Sequence, residues 1–179
     1  RKDFKCSRSC KLHKLKQLKF FFMKQLHRRV VVTGLGILSP IGNTLAEVWD
    51  SCINGVSGIS KIEIDLKNNP IKVGGRLKNF NPEDFLDSKE IRRIDPFIQY
   101  GIIAANQSIN HSGILDSKID LSKVGINFGA GIGGIDTIEK NKSLLEDRGY
   151  KKVSPFFVPG SIVNMISGLI IHINDNKFP

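Results

Sequence analysis

The first clear hydrophobic pattern in the chain is that of an amphipathic helix. Apolar residues recur at i, i+3, i+4, i+7 and i+8 over residues 45–53, which places them along one helix face. Thr44 and Glu47 have the spacing of a capping box at its start. The pattern therefore predicts a helix that begins at about residue 45 and ends near Gly55.

Two further helices are predicted downstream. Asp95 is a suitable cap for a helix with Pro96 in its first position, and apolar residues then follow one face as far as Gly113. Gly101 and the alanines after it predict that another element packs closely against this helix. A more polar helix is predicted from about 135 to 148.

Strand patterns precede and separate these helices. Residues 29–33 form a β-branched run without polar alternation, which predicts a strand buried on both faces. A second strand is predicted at 124–128, where it runs into the glycine-rich segment 129–134. A short strand is predicted at 72–76. The order of strands and helices predicts an α/β fold.

Composition and charge refine this picture. The 179 residues, 40% of them apolar, suffice for one globular domain. The net charge of +10 is concentrated in residues 1–22, whose eight basic residues and one acid give +7 and leave +3 for the rest. This basic leader has three interpretations: a targeting peptide, a nucleic-acid-binding arm, or translated sequence upstream of a start at Met23. The third is favoured, because Met23 leads directly into the first strand and no nucleic-acid-binding motif accompanies the lysines.

The cysteine content and the lengths of the apolar runs indicate where in the cell the protein is expected. Cys6, Cys10 and Cys52 form neither an even disulfide set nor a metal-ligand pattern, so we expect a reducing cytoplasm, or a plastid or mitochondrion if the leader is a targeting segment. We expect Cys52, on an apolar helix face, to be a buried structural thiol. No run is long enough to cross a bilayer. No metal, cofactor, nucleic acid or membrane partner is expected.

The glycine-rich segment raises the question of nucleotide binding. Residues 129–134 satisfy G-x-G-x-x-G between a predicted strand and a predicted helix. A dinucleotide site also needs a following strand that ends in an acid for the ribose, whereas this chain continues into Lys151, Lys152 and a proline-containing turn. The sequence therefore argues against a nucleotide site.

Five ordered motifs together resemble one family. They are Val31-Val32-Thr33-Gly34-Leu35-Gly36, Ser39-Pro40-Ile41-Gly42-Asn43, Asp95-Pro96-Phe97-Ile98-Gln99-Tyr100-Gly101, Gly129-Ala130-Gly131-Ile132-Gly133-Gly134 and Ser154-Pro155-Phe156-Phe157-Val158-Pro159. In this order they resemble the elongating β-ketoacyl-acyl carrier protein synthases of type II fatty acid synthesis, most closely the synthase II subgroup. The resemblance runs from Met23 to about Gly168.

The resemblance implies a thiolase-like fold, of which this chain would hold an incomplete first half with part of the mixed sheet and its covering helices. It also implies a homodimer and a decarboxylative Claisen condensation between an acyl-enzyme and malonyl-carrier protein. The expected organisation is a leader at 1–22, a partial synthase domain at 23–168 and a divergent tail at 169–179. The family's Thr-Ala-Cys motif and catalytic histidines do not occur in this sequence, so we expect no condensation by this chain alone. The alternative is a non-catalytic module that binds acyl carrier protein or dimerises.

The resemblance also assigns candidate site residues. From the sequence alone, two groups of basic residues are best interpreted as solvated surface, but the family positions make them a docking patch for the acidic acyl carrier protein. These residues are Lys89, Arg92, Arg93, Lys151 and Lys152. Ile132 matches a residue that lines the acyl pocket, and Phe157 matches an aromatic that reaches the pocket of the partner subunit. Both are equally consistent with ordinary core packing.

Overall fold

A computed structural model describes residues 29–62 and 70–173. The chain divides into two units, Arg1–Val32 and Thr33–Pro179. In the first unit only residues 29–32 are described, and they form neither helix nor strand. The expected leader at 1–22 lies outside the described residues. All elements below belong to the second unit.

The second unit is mainly helical in the part that the structure describes. Its α-helices are α1 Leu45–Ile53, α2 Ser88–Ile91, α3 Pro96–Ser112, α4 Ile135–Arg148, α5 Phe157–Ser161 and α6 Met165–Ile173. Single 3₁₀ turns lie at Pro82–Asp84, Ile114–Asp116, Leu121–Lys123 and Tyr150–Lys152. The strands β1 Ile59–Lys61 and β2 Val73–Gly75 pair antiparallel, with Ile59 opposite Gly75 and Lys61 opposite Val73. The short strand predicted at 72–76 is thereby confirmed.

Helix α1 begins as its sequence predicts. The Thr44 side chain accepts a hydrogen bond from the Glu47 amide at 3.3 Å, and the Glu47 carboxylate accepts one from the Thr44 amide at 3.2 Å. The expected burial of its apolar face is wrong, since Val48 is its one buried residue and Trp49 is 67% exposed. Cys52 is also exposed, in contrast to the predicted buried thiol. An apolar stripe predicts a helix, but its burial requires a second element to cover it.

Helix α3 is the centre of the core. Asp95 caps its first turn, Pro96 occupies its first position, and Gly113 ends it with φ of +63°, as predicted. Ile98 and Ile102 have no exposed surface. They form one buried cluster with Ile103 of the same helix and with Leu86, Ile166 and Ile170 of neighbouring segments.

Small residues let other segments lie directly on α3. A Cβ at Gly36 would be 1.9 Å from the Ala104 carbonyl oxygen, so backbone meets backbone there. About one turn earlier in the helix, a Cβ at Gly101 would be 3.1 Å from the Ile166 side chain of α6. Gln107 stabilises the contact between Gly36 and Ala104, because its side chain accepts a hydrogen bond from the Ile37 amide and donates one to the Asn43 carbonyl. The close packing predicted from the small residues of α3 is confirmed.

Two predicted strands are wrong. Residues 29–33 and 124–128 are not strands, and Val30, Val31 and Val32 are 93%, 63% and 78% exposed instead of buried. A strand is stabilised by hydrogen bonds to a neighbouring strand. Within the described residues, β1 and β2 pair with each other and leave no strand for these segments.

The end of the described chain is helical. Helix α6 continues past residue 168, after which the divergent tail was expected, as far as Ile173. Ile170 in this helix is fully buried in the core. Among the described residues, no helix combines the length and apolar character needed to cross a membrane.

Candidate functional site

The first basic group lies at the end of the short helix α2 and just beyond it. Lys89 is inside α2, Arg92 is its C-terminal cap residue, and Arg93 follows. All three side chains are exposed. Gln99, which is 6% exposed, anchors the backbone of this segment. Its side-chain amide donates hydrogen bonds to the carbonyls of Ile91 and Ile94.

The second basic group lies on the 3₁₀ turn Tyr150–Lys152, and both Lys151 and Lys152 are exposed. This turn follows α4 directly and is held by Asn141, a residue of α4 that is only 7% exposed. The Asn141 carboxamide oxygen accepts a hydrogen bond from the Ser154 amide at 2.9 Å. A buried amide therefore anchors the chain beside each basic group.

A contact joins the first basic group to the segment that follows the second. The Arg93 guanidinium lies over the Phe156 ring, 4.5 Å from its centroid, in the geometry of a cation–π contact. Nearby, the Asp95 amide donates to the Gly160 carbonyl at 3.0 Å. A Cβ at Gly160 would be 2.4 Å from the Arg93 carbonyl oxygen, so this approach requires glycine.

The basic side chains have no acidic partners among the residues that the structure describes. The ion pairs recorded there join Lys123 to Asp120 and Lys142 to Glu146. Neither pair includes a residue of the two basic groups. Their positive charge is therefore available to an anionic partner.

The glycine-rich segment is not built as a phosphate site. At the start of α4 the Gly134 amide donates to the Ser161 carbonyl at 2.9 Å, and the Thr137 amide donates to the Asp95 carboxylate at 3.0 Å. A phosphate at a helix N-terminus would need these amides. The buried Asp95 carboxylate already supplies the negative charge there, which supports the sequence argument against nucleotide binding.

Ile132 and Phe157 lie on two neighbouring segments. Ile132 belongs to the glycine-rich segment and is 75% exposed, whereas Phe157 is half-buried in the first turn of α5. Gly133, with φ of +88°, would place a Cβ 3.0 Å from the Ser161 carbonyl oxygen of α5. The acyl-pocket roles of Ile132 and Phe157 remain predictions.

Metal-ligating side chains do not cluster. In residues 29–62 and 70–173, no group of three histidine, cysteine or acidic side chains is arranged to hold a metal ion. His111 Nδ1 is instead 3.1 Å from the Leu35 amide, from which it accepts a hydrogen bond.

Three buried polar residues of the site were missed or only partly predicted from the sequence. Asp95 was predicted as the cap of α3, but its carboxylate also accepts a hydrogen bond from the Thr137 amide of α4, 42 residues away. Gln99 and Asn141 carried no candidate role. Each bonds to backbone that is remote from its own helix turn, and local spacing does not reveal such contacts.

Comparison with known proteins assigns the family. Residues 27–177 match the model of the beta-ketoacyl synthase N-terminal domain, so the chain belongs to the β-ketoacyl synthase family. It is similar to the 3-oxoacyl-[acyl-carrier-protein] synthase 2 of Vibrio harveyi, with 46% identity over 142 residues, which are 79% of this chain and 34% of that protein. The corresponding protein of Staphylococcus aureus strain COL is 43% identical over 145 residues, 80% of this chain and 35% of that protein. The chain thus spans about a third of the length of these curated relatives.

Solved structures confirm the expected fold class. A complex of a type II PKS acyl-carrier protein with its ketosynthase, bound to the hexaketide (AntDE:AntF), is similar with a TM-score of 0.68 and 26% identity, covering 84% of this chain and 40% of that one. A beta-ketoacyl synthase from Burkholderia phymatum gives a TM-score of 0.69 at 17% identity, covering 85% of this chain and 38% of that one. The described residues therefore hold part of a thiolase-like fold.

Proposed function

We propose that this chain forms the carrier-protein-docking part of a β-ketoacyl-acyl carrier protein synthase of fatty acid biosynthesis. In this family, the resemblance implies, the intact enzyme condenses an enzyme-bound acyl group with malonyl-carrier protein. The proposal concerns docking and not the chemical step. The cysteines of this chain are Cys6, Cys10 and Cys52, and none of them follows the Thr-Ala pair that the resemblance implies for the nucleophile.

One observation carries the proposal: two exposed basic groups, the first of which contacts the segment just after the second, have no described acidic partners. Arg93 lies over Phe156, four residues beyond Lys152. Five cations in this arrangement favour a partner with a matching acidic surface. A similar solved ketosynthase is bound to an acyl-carrier protein, and the relatives are named for the same partner.

The test is binding of the chain to an immobilised acyl carrier protein. We expect the double variant Arg92→Glu, Arg93→Glu to bind at least about 10-fold more weakly, because two attractive charges become repulsive. Wild-type binding should also weaken as salt rises from about 50 to 300 mM, because exposed charges are screened.

The control is the double variant Lys61→Glu, Lys118→Glu. Both lysines are exposed and lie outside the two basic groups, so the change in net charge is the same. Its affinity should stay close to that of the wild type. If both double variants bind alike, the docking role of Arg92 and Arg93 is wrong.

A homodimer and a cytoplasmic location, or an organellar one if the leader directs import, accompany this proposal as predictions. The alternative function is a non-catalytic module that binds acyl carrier protein or dimerises, and its carrier-protein-binding form uses the same basic surface. Arg92 and Arg93 therefore test the docking step under both functions.

A further inference from the structure

The amide of one buried glutamine holds both ends of the arginine segment. Gln99 lies in the first turn of α3 and is 6% exposed. Its Nε2 donates to the Ile91 carbonyl at 3.2 Å and to the Ile94 carbonyl at 3.1 Å. These two carbonyls flank Arg92 and Arg93 on either side.

The arginine segment needs such an anchor. Helix α2 has only four residues, too few to be stable by itself, and the last carbonyls of any helix lack partners within it. Ile91 is the last residue of α2. Because Gln99 bonds to the carbonyl of Ile91, it satisfies this helix end and fixes the direction in which the chain leaves it.

A second contact holds the same segment from another side. Arg93 stacks on Phe156, and its carbonyl faces Gly160 of α5, where no side chain fits. Arg92 has no corresponding ring contact among the described residues. Its position therefore depends on the backbone that Gln99 holds.

We propose that Gln99 is a positioning residue for carrier-protein docking: its buried amide sets the backbone at residues 91–94 so that Arg92 and Arg93 face an acidic partner together. This inference rests on the proposed function. Gln99 itself is buried and touches no partner.

The test compares two glutamines of the same helix. Gln99→Met keeps the side-chain length but removes both hydrogen bonds to the arginine segment. Gln107→Met is the matched control, because Gln107 also makes two hydrogen bonds to backbone, at Ile37 and Asn43, on a segment without the basic groups.

Binding to an immobilised acyl carrier protein and thermal unfolding are measured for both variants of the full chain. We expect both to lower the melting temperature, and Gln99→Met alone to weaken binding, by about 10-fold, which is about 1.4 kcal/mol. The salt dependence of its remaining binding should be shallower, because fewer ionic contacts form.

A double-mutant cycle separates positioning from loss of stability. In a chain that already carries Arg92→Ala and Arg93→Ala, Gln99→Met should cause no further loss of affinity, because it acts through those arginines. An additive loss would overturn the inference. Unchanged affinity of the Gln99→Met single variant would also overturn the inference. If the separate Arg92→Glu, Arg93→Glu variant has lost binding, that result would leave the docking proposal intact.

A milder variant covers the case in which Gln99→Met does not fold. Gln99→Asn is one methylene shorter, which withdraws the amide from both carbonyls but keeps it polar. Affinity weakened relative to the wild type, with no change in the Gln107→Asn control, supports the inference. Wild-type affinity of Gln99→Asn overturns it.

Discussion

Asp95 joins three helices, and its removal should be costly. One carboxylate oxygen accepts the Phe97 amide at 3.2 Å and caps α3, and the other accepts the Thr137 amide of α4 at 3.0 Å. The residue is 5% exposed. Its own amide donates to the Gly160 carbonyl of α5, a bond that substitution of the side chain leaves in place.

The magnitude follows from the two hydrogen bonds that Asp95→Ala removes. Loss of a helix cap costs about 1 kcal/mol, and loss of a partly buried hydrogen bond to a charged group costs about 1.5 to 3 kcal/mol. We therefore expect Asp95→Ala to lower the free energy of unfolding by roughly 3 kcal/mol. Asp95→Asn, which keeps one acceptor oxygen, should lose roughly half as much.

The assay is urea unfolding of the full chain followed by circular dichroism at 222 nm, with Asp120→Ala as the control. Asp120 also caps a turn, through the Ser122 amide at 3.1 Å, but it is exposed and joins no other helix. We expect Asp120→Ala to lose no more than about 1 kcal/mol. Equal losses in the two alanine variants would refute the role of Asp95 as a joint between helices.

Two further predictions test packing and exposure. Gly36→Ala should lower the free energy of unfolding by more than about 2 kcal/mol, because its Cβ would lie 1.9 Å from the Ala104 carbonyl oxygen. The control Gly125→Ala should change the free energy of unfolding little, because nothing lies within 4 Å of its Cβ. Urea unfolding measures both variants, and similar losses would contradict the close approach of Gly36 to α3. The exposed Cys52 thiol should react with Ellman's reagent in the folded chain when the other two cysteines are replaced by serine; reaction only after addition of denaturant would restore the buried thiol expected from the sequence.

Local signals in the sequence predicted α1, α3 and α4, whereas α2, α5 and α6 were not predicted. The capping box at Thr44 and Glu47 marks the start of α1, and Asp95 and Gly113 mark the two ends of α3. The predicted range 135–148 coincides with α4. These ends are fixed by residues within a few positions of one another, so a single sequence contains the information.

Non-local partners explain the failures. The run 29–33 has strand composition, but composition cannot say whether another strand pairs with it. The apolar stripe of α1 likewise predicts a helix without showing what covers Trp49 or Cys52. In the candidate site, the basic residues were singled out from their family positions and their role stays a prediction, whereas the bonds from Gln99 to Ile91 and Ile94 depend on how α2 and α3 meet.

The motif at 95–101 shows what the family resemblance encodes physically. Its two polar residues in the core, Asp95 and Gln99, are buried and bond to four backbone groups outside α3 or at its first turn. Neither of them is basic, but Asp95 bonds to α4, and Gln99 bonds to the backbone on both sides of Arg92 and Arg93. Arg93 stacks on Phe156, a contact better suited to a planar guanidinium than to an ammonium, whereas Arg92 makes no ring contact among the described residues. The motif therefore fixes the backbone beside the exposed arginines, whose docking role stays part of the proposal above.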